Sequence, residues 1–476
     1  VSKDQPNNPK SRQHRLSPIV LGTLLLAAAI LANEWTLAML ASDGNIESGL
    51  IKNALRAFNV AAFVLGLLFL KFRSRHLVQR LSALLFLASY SAVASLLIVF
   101  ALLEAFPSVA TPLANAGIPY YAARVAMGER YVIDPELVWR YKPNLKIEIA
   151  DWRGDQYDPA LGIAVPALSY RATFDGDGFR NVSPPAFSDA VVLGDSFAEM
   201  GVDDDDTFAE RLAKVSGFKT RNLGLGFYGP YQYLAAFKRF GLPLRPRVAV
   251  FCFFEGNDIL DIQRYGDWRT HGTYGSFRNL AAMSFFQRFI MAMSDLSVFV
   301  QTALMKAINR HEVTPAQAAA AVVELKLGEA TVAAAFGYRG DPRPPAVLLA
   351  SPEWRALSGI LQEFKSAATA SQVVPIVVFI PSKMHIYGPY ATDRSSQHWL
   401  RMRDSELASL NNIEQTMVQT AGEVGLPLIS LTPRFAALAS QSELLYYPFD
   451  SHWNSRGRQV AAELVAGELE KLVLPR

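Results

Sequence analysis

Four short blocks of the chain combine residue types suited to nucleophilic catalysis. The first is Gly194-Asp195-Ser196-Phe197, directly after the apolar run 190–193. A serine hydroxyl becomes a nucleophile when a neighbouring base takes its proton. The last is Asp450-Ser451-His452-Trp453-Asn454, near the C-terminus. Histidine is the usual base for serine, and a carboxylate orients it and stabilises the imidazolium. Between them lie Asn222-Leu223-Gly224-Leu225-Gly226-Phe227-Tyr228-Gly229 and Glu255-Gly256-Asn257-Asp258. Glycine-rich backbone N–H groups and an asparagine amide are donors for a developing oxyanion. Singly, each block is weak. Asp195 and Asp258 also read as turn caps, and Trp453 as core packing.

The elements that must position these blocks alternate strand and helix. Short apolar runs at 190–193, 248–254, 373–380 and 426–431, with 221–223, read as buried parallel strands. Helices are predicted at 207–215, opened by a Thr207/Glu210 capping box, at 231–240, and at 455–472. This order predicts a parallel α/β sheet covered on both faces, with ligands at the carboxyl ends of its strands. The interval 265–345 interrupts the pattern. It is read as an insertion or lid, and its alanine-rich stretch 314–336 as helix. Residues 107–117 read as a linker and 131–181 as extended. The acidic run 203–206 reads as a solvated helix start. Of the seven histidines, only His452 has an aspartate two residues away in such a setting; His271, His311, His385 and His398 show no clear partner, and His14 and His76 fall on the cytoplasmic side of the anchor described below.

Together the four blocks, in this order on strand ends, resemble the SGNH (GDSL-like) hydrolase superfamily over roughly residues 175–476. The likeness is to a bacterial membrane-anchored branch of envelope polysaccharide O-acetylation proteins, which also shows Asp-Gly-Phe-Arg (177–180 here, with Gly178) and Ile380-Pro381-Ser382-Lys383. The resemblance implies a flavodoxin-like three-layer α/β/α domain, with Ser196 as nucleophile, His452 as base and Asp450 as its partner. It also implies an oxyanion hole from the Ser196 N–H, a second-block glycine N–H and the Asn257 side chain. Gly226 is the chosen glycine, although one register places Phe227 there. The family often has D-x-x-H, whereas this chain has D-x-H.

Length and hydropathy add an anchor. The chain has 476 residues, 51% of them hydrophobic, and a mean hydropathy of +0.15. Apolar stretches at about 18–40, 50–70 and 81–106 are each long enough for a bilayer core of about 30 Å. Lys3, Lys10, Arg12 and Arg15 precede the first; Asp43 and Glu47 follow it; Lys71, Arg73, Arg75 and Arg80 follow the second. Basic, acidic, basic puts the N-terminus in the cytoplasm and everything after 106 outside. A cleaved signal peptide fits less well, because two more spans follow. Glu34 and Arg56 are expected to pair within the spans. The division is therefore 1–16 cytoplasmic tail, 17–106 three-helix transmembrane anchor, 107–185 linker and extended segment, and 186–476 the SGNH-like domain.

A net charge of +3 gives no basic field for nucleic acid. The single cysteine, Cys252, rules out an internal disulfide or a cysteine-cluster metal site and reads as core filling; no cofactor is expected. Two functions follow. One is an esterase or O-acyltransferase outside the cytoplasmic membrane, for which the resemblance implies acetyl esters of envelope glycans as the substrate. Three spans are too few for an acyl-transporting domain, so transfer calls for a separate membrane acyl-donor protein. The other is a non-catalytic subunit of a larger membrane assembly.

Overall fold

A computed structural model describes residues 9–31, 49–116, 118, 120–121, 124–125, 130–157, 163–271, 273–274, 277–278, 284–309, 322–337, 341–392, 404–405 and 407–473. The chain divides into two compact units, Val1–Phe106 and Pro107–Arg476.

The first unit contains helices Pro9–Leu31, Gly49–Lys71 and His76–Ala105. Among the described residues one of them, His76–Ala105, is long and apolar enough to cross a membrane; the apolar part of the first, Pro18–Ile30, is shorter. The expectation of three spans is thus met by one qualifying helix. Helices Pro9–Leu31 and Gly49–Lys71 approach closely where Gly22 faces Gly66. A Cβ on Gly22 would meet the Gly66 carbonyl oxygen at 2.9 Å, and one on Gly66 would meet that of Gly22 at 3.0 Å. Small residues permit this backbone contact. Lys3, Glu34, Asp43, Glu47, His311 and His398 lie outside the described residues, and with Glu34 goes the expected pair with Arg56.

The second unit is built on a five-stranded parallel sheet whose strands lie side by side in the order 428–430, 374–380, 248–254, 190–193 and 220–222. Its strands are β5 (Ala190–Leu193), β6 (Thr220–Asn222), β7 (Val248–Phe254), β12 (Val374–Ile380) and β13 (Leu428–Ser430). β7 sits at the centre and is buried along its whole length, as a strand covered on both faces must be. Successive side chains point to opposite faces. Phe251, Phe253 and Phe379 enter one core with Trp354 and Phe364 of helix Pro352–Ala370. Val250, Cys252 and Val378 enter the other with Ala461, Val465 and Leu469 of helix Ser455–Val473. Burial pushes the Cys252 thiol well up, consistent with core filling.

Several local readings are corrected. The stretch read as helix at 314–336 is, where described, an antiparallel hairpin of β10 (Val322–Leu327) and β11 (Ala330–Ala335). Its sequence V-V-E-L-K-L buries every second residue, a period of two that outweighs alanine's helix preference. Helix 231–240 ends early, at Pro230–Ala236, and a π turn covers Phe237–Gly241. The run 203–206 is not a solvated helix start. Asp203 pairs with Arg171, Asp204 with Arg180, Asp205 with Lys214, and buried Asp206 with Arg211 and Arg458. Residues 131–181 do form extended pairs, β1 (Tyr131–Asp134) with β2 (Val138–Tyr141) and β3 (Lys146–Trp152) with β4 (Leu168–Thr173). Their Trp139, Ala172, Phe174 and Phe179 share the core of the sheet, so this segment is part of the same folded unit.

Candidate active site

Strand β5 delivers the first block to the carboxyl edge of the sheet. Asp195 caps the short helix Ser196–Glu199, its Oδ1 accepting the Phe197 N–H at 2.9 Å. The cap holds Ser196 at the helix start, with its side chain free to face the last block. Arg180, from the Asp-Gly-Phe-Arg segment, fixes the far end of that turn by donating to the carbonyls of Glu199 (3.2 Å) and Gly201 (3.0 Å).

Ser196 Oγ lies 2.7 Å from His452 Nε2, and His452 Nδ1 lies 2.7 Å from Asp450 Oδ1. Asp450 thereby sets the tautomer: Nδ1–H donates to the carboxylate, and Nε2 is left to accept the serine proton. The D-x-H spacing works because Asp450 Oδ1 also accepts the His452 backbone N–H, at 2.9 Å. Burial disfavours charge on both partners, yet their mutual attraction and hydrogen bonds, with help from Asp155, outweigh it. Asp450 is held down at about 2, and His452 above its ordinary value.

A second carboxylate joins them. The Asp155 N–H donates to Asp450 Oδ2 at 2.8 Å, while Asp155 Oδ1 accepts the Ser451 N–H at 2.7 Å. Burial and then the Asp450 charge raise its pKa. Donor atoms of Asp155, Asp450 and His452 all lie within 4.8 Å of one another.

The expected oxyanion donors fare differently. Asn257 and Gly226 both line one cavity with Ser196 and His452. Asn257 Nδ2 donates one hydrogen to Asp261 Oδ2 at 2.8 Å, and a primary amide has a second to give. The Gly226 N–H is already engaged, donating to Glu199 Oε2 at 2.6 Å. In this structure Gly226 therefore does not present its N–H as the reading expected. The reason is a buried carboxyl three residues after the serine. Burial raises the Glu199 pKa against the pull of the Gly226 N–H and Arg180.

The cavity measures about 270 Å³. One wall is aromatic, with Tyr131, Trp139, Tyr141, Trp152 and Tyr170, all from the segment ahead of the sheet. Sequence reading missed this wall, Asp155 and Glu199. It also missed Lys383 of the Ile-Pro-Ser-Lys block, whose buried ammonium donates to the carbonyls of Tyr447, Pro448 and Asp450. Burial pushes that ammonium down to about 7 against the pull of Asp450 and Asp155. His385, read as lacking a partner, is buried with Nδ1 2.9 Å from Glu255 Oε2. Glu255 also accepts the Ser382 N–H at 2.6 Å, so the third block ties down the Ile-Pro-Ser-Lys turn. The quoted blocks were the available signal for Glu255 and Lys383.

Residues 350–475 match a family described as SGNH hydrolase-like domain, acetyltransferase AlgX. The matched stretch includes Lys383, Asp450 and His452; Ser196, Gly226 and Asn257 precede it. No curated protein sequence matches. Among solved structures, a Bacteroides fragilis protein described as an acylhydrolase aligns at 12% identity and a TM-score of 0.30, over 60% of this chain and 87% of its own. An acetyl xylan esterase aligns at 12% and 0.31, over 59% and 98%. A Slackia heliotrinireducens protein described as an SGNH hydrolase aligns at 12% and 0.29, over 58% and 96%. The family match makes residues 350–475, the part carrying Asp450 and His452, similar to an SGNH hydrolase-like domain.

Proposed function

We propose that the protein is a membrane-anchored serine acyl-ester hydrolase or O-acyltransferase, acting outside the cytoplasmic membrane on acetyl esters of envelope glycans. The observation that carries this reading is the pair of 2.7 Å contacts linking Ser196 to His452 and His452 to Asp450. The name of the matched family, an acetyltransferase, agrees with it.

In the proposed reaction His452 Nε2 takes the Ser196 proton as Oγ attacks the acyl carbonyl carbon. The carbonyl π pair moves to oxygen, where the Ser196 N–H and the Asn257 amide receive it. Asp450 stabilises the imidazolium. Collapse expels the alcohol oxygen, which takes the proton from His452 and leaves an acyl-serine. Water, or a sugar hydroxyl, then repeats the sequence in reverse. A cavity of about 270 Å³ is at the small end of ligand sites. That suits a short acyl group better than a long chain, and aromatic faces with polar edges suit a sugar ring.

The three N-terminal helices form the anchor in this proposal, with the N-terminus in the cytoplasm and the catalytic unit outside. A separate membrane protein supplies the acyl group if transfer is the reaction. The test is to incubate the full-length protein in detergent with acetylated oligosaccharides, with and without an unacetylated acceptor. Acetate release or acceptor acetylation, lost in Ser196→Ala, supports the reading. A folded wild type that does neither supports the non-catalytic module instead.

A further inference from the structure

Lys383 is a buried cation that the proposed reaction never touches. Its side chain is buried, and an ammonium in such a place is costly unless its protons are matched by acceptors. Here they are more than matched. Nζ lies 3.0 Å from the Tyr447 carbonyl oxygen, 2.9 Å from that of Pro448, 2.8 Å from that of Asp450 and 3.0 Å from Gln156 Oε1. Three of the four acceptors belong to the loop that carries Asp450 and leads into His452. The fourth belongs to the segment ahead of the sheet.

The same loop is gripped from a second side. The Gln156 N–H donates to the Phe449 carbonyl at 3.1 Å. The Asp155 N–H donates to Asp450 Oδ2, and Asp155 accepts from Ser451. Lys383 itself stands at the start of helix Lys383–Tyr387, just after Ser382, whose N–H is fixed by Glu255 next to the Gly256-Asn257 turn. The ammonium thus connects the turn after β12, the acid–base loop and residues 154–156. Methionine has a similar reach and no protons to give; it would take the Lys383 donor from all three loop carbonyls, leaving Tyr447 with the Asp450 N–H at 3.4 Å and Pro448 with the Ala335 N–H at 2.9 Å.

We propose that Lys383 is a positioning residue: its ammonium clamps loop 447–450 so that the Asp450 carboxylate is aimed at His452 Nδ1. The proposal rests on the catalytic reading above. Its effect is on the orientation of the base, not on substrate binding, because Lys383 does not line the cavity.

The experiment compares wild type, K383M and Q156L, full length in detergent, with p-nitrophenyl acetate as the probe ester and the low-field proton resonance of His452 Nδ1–H as a direct reporter. In K383M, kcat is expected to fall about 100-fold, the scale of a misplaced catalytic group, while KM stays within about threefold. The resonance is expected to shift or vanish. Q156L, which keeps the ammonium and its three carbonyl acceptors, is expected to lose much less. Should K383M fail to fold, K383Q replaces it, keeping donors at shorter reach and losing an intermediate amount. A folded variant at Lys383 with unchanged kcat and resonance overturns the proposal, as does a loss confined to thermal stability. A wild type that shows the resonance but no turnover overturns the catalytic reading, while a resonance lost in K383M still upholds the clamp.

Discussion

Asp155 and Asp450 stand 295 residues apart in the chain, and the backbone N–H of the first donates to the side chain of the second at 2.8 Å. One carboxylate oxygen of Asp450 therefore faces the segment ahead of the sheet, and the other faces His452. The acid of the proposed triad is held between two parts of the chain that fold together.

Removing the acid tests its electrostatic role. In Asp450→Asn, kcat is expected to fall about 10³- to 10⁴-fold, because the imidazole loses the partner that fixes its tautomer. The sign of the pH effect follows from the balance at His452. Burial alone depresses the histidine; the charge and hydrogen bond of Asp450, together with the charges of Asp155 and Asp195, outweigh it and raise the pKa. The base must be neutral to act, so wild-type kcat/KM should rise with pH through a midpoint above the ordinary histidine value. Asp450→Asn should move that midpoint down; a pH–rate profile of both proteins checks it.

Asn257 lines the cavity with Ser196 and His452 and is the side-chain donor proposed for the developing oxyanion. Asn257→Ala is expected to lower kcat about 10²- to 10³-fold with little change in KM. Steady-state kinetics on an acetyl ester measures both. A loss in KM alone would move Asn257 from the reaction to substrate binding.

Gly154 is the backbone support for the same loop. Its φ is +111°, and an added Cβ would fall 2.2 Å from the Phe449 carbonyl oxygen. Gly154→Ala should cost about 1–3 kcal/mol, the scale of a residue forced into a disfavoured conformation. Thermal unfolding gives the stability, and the activity of the folded fraction should fall with it because Asp155 and Gln156 follow directly.

Trp152 sits on the aromatic wall and meets Tyr447 edge-on, ring centroids 5.6 Å apart. If the wall holds a sugar, Trp152→Ala should raise KM for an acetylated oligosaccharide about tenfold, the equivalent of one aromatic contact. Hydrolysis of p-nitrophenyl acetate, which carries no sugar, should change much less. Equal losses on both substrates would count against a glycan on this wall.

The sheet was legible because its strands are short and buried, and the first three blocks sit at their ends. Ser196 could be named because it follows such a strand, and Asp450 and His452 because they stand just before the closing helix Ser455–Val473. What was not legible is what depends on contacts between distant segments. Nothing local marks Asp155 as a neighbour of Asp450, or Glu199 as the acceptor for Gly226. The hairpin Val322–Leu327 was hidden by the alanines around it, although its own alternation of buried and exposed residues is clear. Asp206 looked solvated because its two partners, Arg211 and Arg458, lie 5 and 252 residues away.

The central claim is that His452 activates Ser196. The direct measurement treats the full-length protein with a fluorophosphonate probe and maps the label by mass spectrometry. The account predicts rapid labelling at Ser196, none in Ser196→Ala, and slow labelling in His452→Ala. A folded wild type that resists the probe, or one labelled equally fast without His452, would contradict it.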